Sequence, residues 1–232
     1  MQIKPRILVF DTFGTVVDWF GSIVQELEQK YPQVNAHAFT SAWREQYHPT
    51  MKKVTDQVLP WTKLDDLHRL ILNEIAPQFG LDHLSEEEKK DLNLVWHRLK
   101  PWPDSVPGLL RLKAHFVIAP LSNGNTSLLT HMAKQAQLPW DCILSTEIFK
   151  AYKPNPKTYL GVLELFDAQA HEVMMVAAHA SDLQAAKACG LQTAFIHRPL
   201  EWGQGNASQS PMHTEFDFTC TSIEDLATQL AC

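Results

Sequence analysis

The chain has 232 residues, 45% of them hydrophobic and 20% charged, with a formal net charge of −6 at pH 7. A mildly acidic chain without a Lys/Arg run excludes nucleic acids and anionic membranes as expected partners, and no apolar run is long enough to span a bilayer. The four cysteines are scattered without a Cys-x-x-Cys pair. We therefore expect reduced thiols in a soluble, cytoplasmic protein.

The first predicted element is the apolar run 7–10, which leads directly into Asp11 before the chain turns at Gly14. A short, continuous apolar run bounded by a turn predicts a strand that is buried on both faces of a parallel sheet. An acid at the carboxyl end of such a strand lies where open α/β sheets bind their ligands. Asp is also a preferred helix N-cap, so at this point both roles remain open for Asp11.

A helical block follows the first strand. Apolar residues recur at helical spacing, with charges between them, over 16–31, 36–54, 61–79 and 85–99. We predict four helices and no strand in this block. Prolines at 101, 103 and 107 mark its end.

Strands and helices alternate in the rest of the chain. Apolar strand candidates lie at 116–121, 141–144, 172–177 and 192–196. This alternation predicts βαβ units, and hence an α/β fold with a parallel sheet interrupted by the helical insert. The stretch 198–211 is rich in Gly, Ser, Gln and Asn and is predicted to form a long surface loop before a last strand and helix.

Polar side chains gather at the predicted carboxyl rim of this sheet. They are Asp11, Thr15, Ser122, Asn123, Lys153 and Asp182. Two acids, an ammonium group and small hydrogen-bonding groups form a set suited to covalent catalysis. A lysine about 4 Å from Asp11 would stabilise its carboxylate by about 4 kcal/mol at an effective dielectric near 20, which keeps the acid ionised as a nucleophile.

Each of these residues also has a purely structural interpretation. Thr15 and Asp182 are good helix N-caps, Ser122 and Asn123 precede a glycine in a turn-forming sequence, and Lys153 before a proline is typical of a solvated loop. Their joint occurrence at corresponding strand ends favours a site.

In this order and spacing, the segments 10–15, 121–125, 150–156 and 178–182 resemble the haloacid dehalogenase superfamily, and specifically its 2-haloacid dehalogenase branch. The resemblance covers nearly the whole chain. It implies a Rossmann-like parallel sheet core (1–16 and 101–232), an inserted helical cap domain (17–100) and a homodimer. Trp43 and Arg44 are similar to the arginine-bearing segment of that branch's cap.

Phe13 decides between branches of the superfamily. Phosphatases of the superfamily carry a second Asp two residues after the nucleophile as the general acid for the leaving alcohol, whereas Phe13 cannot transfer a proton and a departing halide needs none. Mg²⁺ prefers several oxygen ligands, but 179–182 offers one acid and Lys153 already supplies positive charge. We therefore predict no metal and no cofactor. The alternatives are a magnesium-dependent phosphatase or phosphonatase, or a non-catalytic protein on the same fold.

The resemblance implies hydrolysis of a small halogenated carboxylic acid by water. Asp11 attacks the halogen-bearing carbon and forms an ester, while Lys153 and Thr15 hold and charge-balance its carboxylate. Asp182 positions or activates the water that hydrolyses the ester. Ser122 and the main-chain amides after Asp11 bind the substrate carboxylate.

The remaining expected contacts are with the substrate and its halide. Arg44 and Asn123 hold the departing halide, and Phe13 borders the substrate. Trp43 either walls the pocket or packs within the insert. Tyr159 either matches a tyrosine of the branch or is a packed helix residue.

The last segment departs from the branch pattern. Ala177 and His179 stand where the branch carries Ser and Asn, although His179 can still donate a hydrogen bond. Ser181 stands where an aromatic residue often borders the halide pocket. A serine beside an imidazole suits a smaller, more strongly hydrated halide, which makes fluoride release possible.

Overall fold

The computed structural model describes residues 4–203 and 215–232. In chain order its elements are β1 (Ile7–Phe10), β2 (Val17–Asp18), α1 (Trp19–Lys30), α2 (Ala36–Glu45), α3 (Tyr47–Thr55), α4 (Leu64–Ile75), a 3₁₀ helix (Ala76–Phe79), α5 (Glu86–Asn93), a 3₁₀ helix (Leu94–His97), β3 (Lys100–Pro101), α6 (Ser105–Lys113), β4 (Val117–Ser122), α7 (Thr126–Gln135), β5 (Leu144–Ser145), α8 (Pro156–Phe166), a 3₁₀ helix (Ala170–Glu172), β6 (Val173–Ala177), α9 (Ala180–Ala188), β7 (Gln192–Ile196), β8 (Phe218–Cys220) and α10 (Ile223–Gln229).

Six strands form one parallel sheet in the order β5-β4-β1-β6-β7-β8. Strand β1 is central, with Phe10 in register with Pro120 of β4 and Val176 of β6. Every residue of β1 and β6 is buried, which is the reason for their unbroken apolar sequences. The predicted α/β fold is confirmed. All these strands end at one rim, so the loops after β1, β4, β5 and β6 meet there.

A two-stranded antiparallel ribbon connects the helical insert to the sheet. Val17 of β2 pairs with Pro101 of β3, and Asp18 pairs with Lys100. The prediction that this block contains no strand is therefore wrong at its two ends, because the chain leaves the core and returns to it side by side. The ribbon lies at the predicted boundaries of the cap domain, 17–100.

Three of the four helices predicted in the insert are divided, whereas the prediction over 16–31 corresponds to the single helix α1. Pro49 cannot donate a main-chain hydrogen bond to Glu45, so the predicted helix 36–54 is two helices, and α3 begins at Tyr47 with Pro49 in its first turn. Similarly, α4 and α5 each pass into a 3₁₀ helix at their ends. No helix in the described part of the chain is long and apolar enough to cross a membrane.

Aromatic packing fixes the insert over the rim of the sheet. Trp19, Trp43 and Trp96 are almost fully buried, and the ring of Trp96 packs edge-on against Phe13 at 5.9 Å. Trp102, just after the ribbon, donates its indole N–H to the carbonyl oxygen of Gly14 (2.9 Å). These contacts hold the loop after β1 against the insert, so the rim and the insert enclose a space between them.

The predicted surface loop 198–211 is only partly described, because residues 204–214 lie outside the described ranges. Its first part is an irregular turn with residues 199 and 200 exposed, but two of its side chains are buried. Arg198 is buried and forms a two-pronged ion pair with Asp104 (2.7 and 2.8 Å), and Glu201 is 5% exposed. The predicted last strand and helix are present as β8 and α10.

Candidate active site

A cavity of about 140 Å³ lies between the rim of the sheet and the insert. Its lining is formed by Asp11, Phe13, Arg44, Tyr47, His48, Asn123, Lys153, Pro154, His179, Ser181 and Asp182. The buried acids Asp11 and Asp182 form its floor, whereas His48 and Ser181 are exposed at its mouth. The core thus supplies the charged floor, and α2 and α3 of the insert supply the opposite wall.

Asp11 follows β1 directly, and its main-chain N–H donates to Val176 on the neighbouring strand (2.9 Å). The chain then turns at Gly14, whose φ of +84° favours glycine. A Cβ atom at Gly14 would overlap the carboxylate of Glu201. Glycine at this position therefore both makes the turn and lets Glu201 approach the loop after Asp11.

Lys153 lies between the two buried acids. Its Nζ donates to Asp11 Oδ1 (2.9 Å) and to Asp182 Oδ2 (2.5 Å). Burial raises the pKa of a carboxylic acid, but the Lys153 charge and the contacts with His179 outweigh it and hold the pKa of Asp11 well below its usual range. The two carboxylates in turn outweigh the burial of Lys153 and raise its pKa. Asp11 is thus ionised and Lys153 is charged.

Asp182 differs from Asp11 although both contact the same lysine. Burial raises the pKa of Asp182, and the nearby charge of Asp11 adds to this effect, so that Lys153 does not fully offset them. Tyr159 donates its hydroxyl to Asp182 Oδ1 (2.6 Å), and burial together with Asp182 raises the pKa of that phenol. A carboxylate with a raised pKa is suited to accept a proton from water.

Thr15 holds the second carboxylate oxygen of Asp11. Its Oγ1 donates to Asp11 Oδ2 (2.9 Å) and accepts the main-chain N–H of Ala178 (2.9 Å). Because that amide hydrogen points at the hydroxyl oxygen, the one hydroxyl proton is directed to Asp11. The expected holding role of Thr15 fits this geometry.

His179 bridges two carboxylates. Its Nδ1 lies 3.2 Å from Asp11 Oδ2, and its Nε2 lies 3.0 Å from Glu201 Oε1. Burial would lower the pKa of this imidazole, but the charge of Glu201 and the hydrogen bonds to Asp11 and Glu201 raise it to about 10. Trp19 donates its indole N–H to the same Glu201 oxygen (3.0 Å), and His179 and Trp19 keep the pKa of the buried Glu201 below its ordinary value.

The insert contributes a cation and a phenol to the pocket. The guanidinium of Arg44 lies 4.3 Å from the ring centroid of Tyr47 and 5.4 Å from that of Trp19. Asn123 donates to the hydroxyl oxygen of Tyr47 (3.1 Å) and accepts the main-chain N–H of Lys153 (2.8 Å). These contacts join the core and the insert across the pocket.

Three predicted substrate contacts are not at the pocket surface. Ser122 is fully buried at the end of β4, and its Oγ accepts the main-chain N–H of Gly124 within the turn. Trp43 is fully buried, and its indole N–H donates to the carbonyl oxygen of His68 (3.1 Å). Neighbouring residues of a helix point about 100° apart, so Trp43 points away from the pocket that Arg44 faces. Tyr159 lies behind Asp182 and reaches the site only through it.

The predicted site residues did not include four residues that line or support the pocket: Tyr47, His48, Pro154 and Glu201. Tyr47 and His48 lie three and four positions after Arg44, which is the helical spacing for a shared face, so a signal was available. Glu201 stands next to a Gly/Ser-rich stretch and gave no comparable signal. Within residues 4–203 and 215–232, no group of three or more His, Cys, Asp or Glu residues is arranged to hold a metal ion.

Comparison with known proteins finds relatives that match most of the chain. The family model of the haloacid dehalogenase-like hydrolases matches residues 5–190. The chain is 28% identical over 211 residues to (S)-2-haloacid dehalogenase 4A of Burkholderia cepacia, covering 87% of this chain and 84% of that protein. It is 26% identical over 200 residues to haloacetate dehalogenase H-2 of a Moraxella species, covering 84% of this chain and 87% of that protein.

Solved structures extend this similarity to nearly the whole chain. The crystal structure of an L-2-haloacid dehalogenase is 43% identical, with a TM-score of 0.93, and the match covers 98% of this chain and 100% of that one. The crystal structure of a defluorinating L-2-haloacid dehalogenase has the same identity and TM-score, and the match covers 98% of this chain and 96% of that one. The resemblance expected from the sequence is confirmed, and the protein belongs to the haloacid dehalogenase-like hydrolases.

Proposed function

We propose that this protein is a hydrolytic dehalogenase that cleaves the carbon–halogen bond of small 2-haloacids through an ester on Asp11. The observation that carries the proposal is the pairing of an ionised, buried Asp11 with Lys153, in a pocket where Phe13 occupies the position of a phosphatase's acid. The relatives named as 2-haloacid dehalogenases support the same reaction.

The first step is a displacement at carbon. A carboxylate oxygen of Asp11 forms a bond to the halogen-bearing carbon while the carbon–halogen bond breaks and the halide leaves with the electron pair. Arg44 and Asn123, which both line the pocket, bind the departing halide. Preorganised donors of this kind contribute about 3–4 kcal/mol each in other enzymes. Since a halide needs no proton, the apolar side chain of Phe13 is compatible with this step.

Ser122 is fully buried and its Oγ accepts the main-chain N–H of Gly124, so we propose a different donor for the substrate carboxylate. Ser181 lines the pocket at the second position of α9. We assign the predicted role of Ser122 to the hydroxyl of Ser181, helped by the positive end of that helix.

The second step hydrolyses the ester. Asp182 takes one proton from water, whose oxygen attacks the Asp11 carbonyl carbon. The bond between that carbon and the substrate oxygen then breaks, and the substrate oxygen takes the proton back from Asp182. The hydroxy acid leaves, and the remaining water proton is lost to solvent as Asp11 returns to its carboxylate. The Nζ atom of Lys153 lies within hydrogen-bond distance of both acids. Its ammonium group occupies the position between two carboxylates that a metal ion would need, so we propose a metal-independent reaction.

Fluoride is a proposed leaving group together with chloride and bromide. The pocket is small, and the guanidinium of Arg44 at its wall carries N–H donors, which suits a small and strongly hydrated anion. One structural relative is named as defluorinating. We also propose that the enzyme is a cytoplasmic homodimer, as the resemblance and the unpaired cysteines of the described chain suggest.

The test is halide release from chloro-, bromo- and fluoroacetate and from both enantiomers of 2-chloropropionate, with and without a chelator. We expect release that survives chelation, favours one enantiomer and is absent in the Asp11→Asn variant. Absence of halide release, together with magnesium-dependent release of phosphate from a generic phosphoester, would contradict the proposal.

A further inference from the structure

The flank of Asp11 opposite Lys153 contains a second charged pair, His179 and Glu201. Each ring nitrogen of His179 faces a carboxylate oxygen, Asp11 Oδ2 at 3.2 Å and Glu201 Oε1 at 3.0 Å. An ionised carboxylate only accepts hydrogen bonds, so both contacts require an N–H, and the ring is an imidazolium. Glu201 is itself 5% exposed and is fixed by the indole N–H of Trp19.

The two oxygens of Asp11 are not equivalent. Oδ2 accepts hydrogen bonds from Thr15 and His179, whereas Oδ1 accepts one from Lys153. A carboxylate has about four lone-pair positions over its two oxygens. Both positions on Oδ2 are therefore occupied, and Oδ1 keeps a free one. Oδ1 is the oxygen available to attack carbon, and Oδ2 becomes the carbonyl oxygen of the ester.

We propose that His179 and Thr15 form the oxyanion site for hydrolysis of the Asp11 ester, and that Glu201 is the positioning residue that keeps His179 protonated during this step. The inference rests on the proposed dehalogenation. When water attacks the ester carbonyl carbon, the electron pair of the C=O bond moves onto Oδ2, where the Thr15 hydroxyl and the His179 N–H already point. Donors fixed at such an oxygen stabilise the charge that develops there.

Glu201 matters because Asp11 loses its charge on forming the ester. In the free enzyme His179 lies between two carboxylates, but in the ester only Glu201 remains charged beside it. The pKa of His179, about 10 in the free enzyme, then depends mainly on Glu201. The other charged or titratable groups around the pocket are Arg44, His48, Lys153 and Asp182. Of these, the charges of Arg44 and Lys153 oppose protonation of His179, so Glu201 is needed to offset them.

The decisive variant is Glu201→Gln, which keeps the shape and can still accept from Trp19 and His179. With chloroacetate, single-turnover rapid quench and mass spectrometry measure separately the formation and the hydrolysis of the carboxymethyl ester on Asp11. We expect ester formation to change little and ester hydrolysis at pH 9 to fall by about tenfold or more, since each pKa unit lost is tenfold in the imidazolium fraction above the pKa. At pH 6 hydrolysis should recover.

Two further variants separate positioning from general damage. Glu201→Asp keeps the charge and should restore a flat pH profile between 6 and 9. Glu26→Gln is the matched control, because Glu26 is also a largely buried glutamate in ion pairs, with Arg98 and Lys30, but lies in the insert away from the pocket. It should leave both ester rates unchanged.

The outcomes are distinct. Ester accumulation in Glu201→Gln that grows with pH supports the inference. A Glu201→Gln variant whose ester hydrolysis matches wild type at every pH overturns it, as does equal slowing of ester formation and hydrolysis at all pH values. No halide release by the wild-type enzyme from any haloacid would instead overturn the proposed function.

Discussion

Asp11 has a cation on each side, Lys153 on one flank and His179 on the other, and the two cations are held differently. On the Lys153 flank, one cation is shared between Asp11 and Asp182, and all three groups are buried. On the His179 flank, a partly exposed cation is held between Asp11 and Glu201. The first flank leaves Asp182 with a raised pKa, which suits it to accept a proton, and the second leaves a protonated imidazole, which is a hydrogen-bond donor. In the proposed route Asp11 forms and then loses an ester, and these two steps use both flanks.

The largest expected effect follows from removing the group that both flanks share. Asp11→Asn leaves a neutral amide that cannot form the ester, so halide release should fall by about 10⁴-fold or more, as for loss of other catalytic nucleophiles. Halide electrode or ion chromatography assays measure the loss. Retention of more than a few per cent of the halide release in Asp11→Asn would contradict the proposal that Asp11 forms the ester.

The Asp182→Asn variant tests whether Asp182, on the Lys153 flank, is the general base for ester hydrolysis. Loss of a general base lowers rates by about 10²–10⁴-fold, and here the loss should fall on ester hydrolysis, with a burst of halide equal to the enzyme present. In the wild type, hydrolysis should decline as the pH falls through the raised pKa of Asp182, because the protonated acid cannot accept a proton. Asp182→Asn without ester accumulation would contradict this assignment.

The Lys153→Met variant tests how much the ion pairs of the Lys153 flank contribute to the free energy of unfolding. Removing the lysine leaves Asp11 and Asp182 buried without their shared cation, which should lower the free energy of unfolding by about 3–5 kcal/mol. Denaturant unfolding gives the value. The control is Lys52→Met, because Lys52 pairs with Asp56 on the surface with its side chain 71% exposed, and such pairs contribute about 0–1 kcal/mol. Equal losses in the two variants would contradict the account.

The smallest effect concerns the pH dependence of stability on the His179 flank. The folded pKa of His179 is raised to about 10 from its ordinary 6.5, so its contribution is complete below 6.5 and is lost as the pH rises toward 10. The difference in unfolding temperature between wild type and His179→Gln should therefore shrink from pH 6 to pH 10. A difference that stays constant over that range would show that His179 is not held as an imidazolium.

The two flanks also differ in how far the sequence predicts them. Asp11, Lys153 and Asp182 follow strands of one parallel sheet, and topology alone brings such residues together. Glu201 comes from the segment after β7, where nearby Gly, Ser and Asn residues indicate a surface loop, and only packing against Gly14 and Trp19 reveals its burial. The other feature that the sequence does not predict is which way a side chain points.

Neighbouring positions show how direction decides the outcome. Ser122 and Asn123 were both predicted at the pocket, but the Ser122 side chain is used within its own turn and only Asn123 reaches the cavity. Trp43 and Arg44 divide in the same way, since successive helical residues cannot share a face. Composition and motif spacing locate such pairs without resolving which member faces the ligand.

The most direct test of the covalent route is a single turnover of chloroacetate by excess enzyme in water enriched in ¹⁸O. Because water attacks the carbonyl carbon of Asp11 in the proposed route, we expect the heavy oxygen in the carboxylate of Asp11, found by mass spectrometry of its peptide, and none in the glycolate formed. Heavy oxygen in the glycolate with none in Asp11 would mean that water attacks the substrate directly, and the ester mechanism would be wrong.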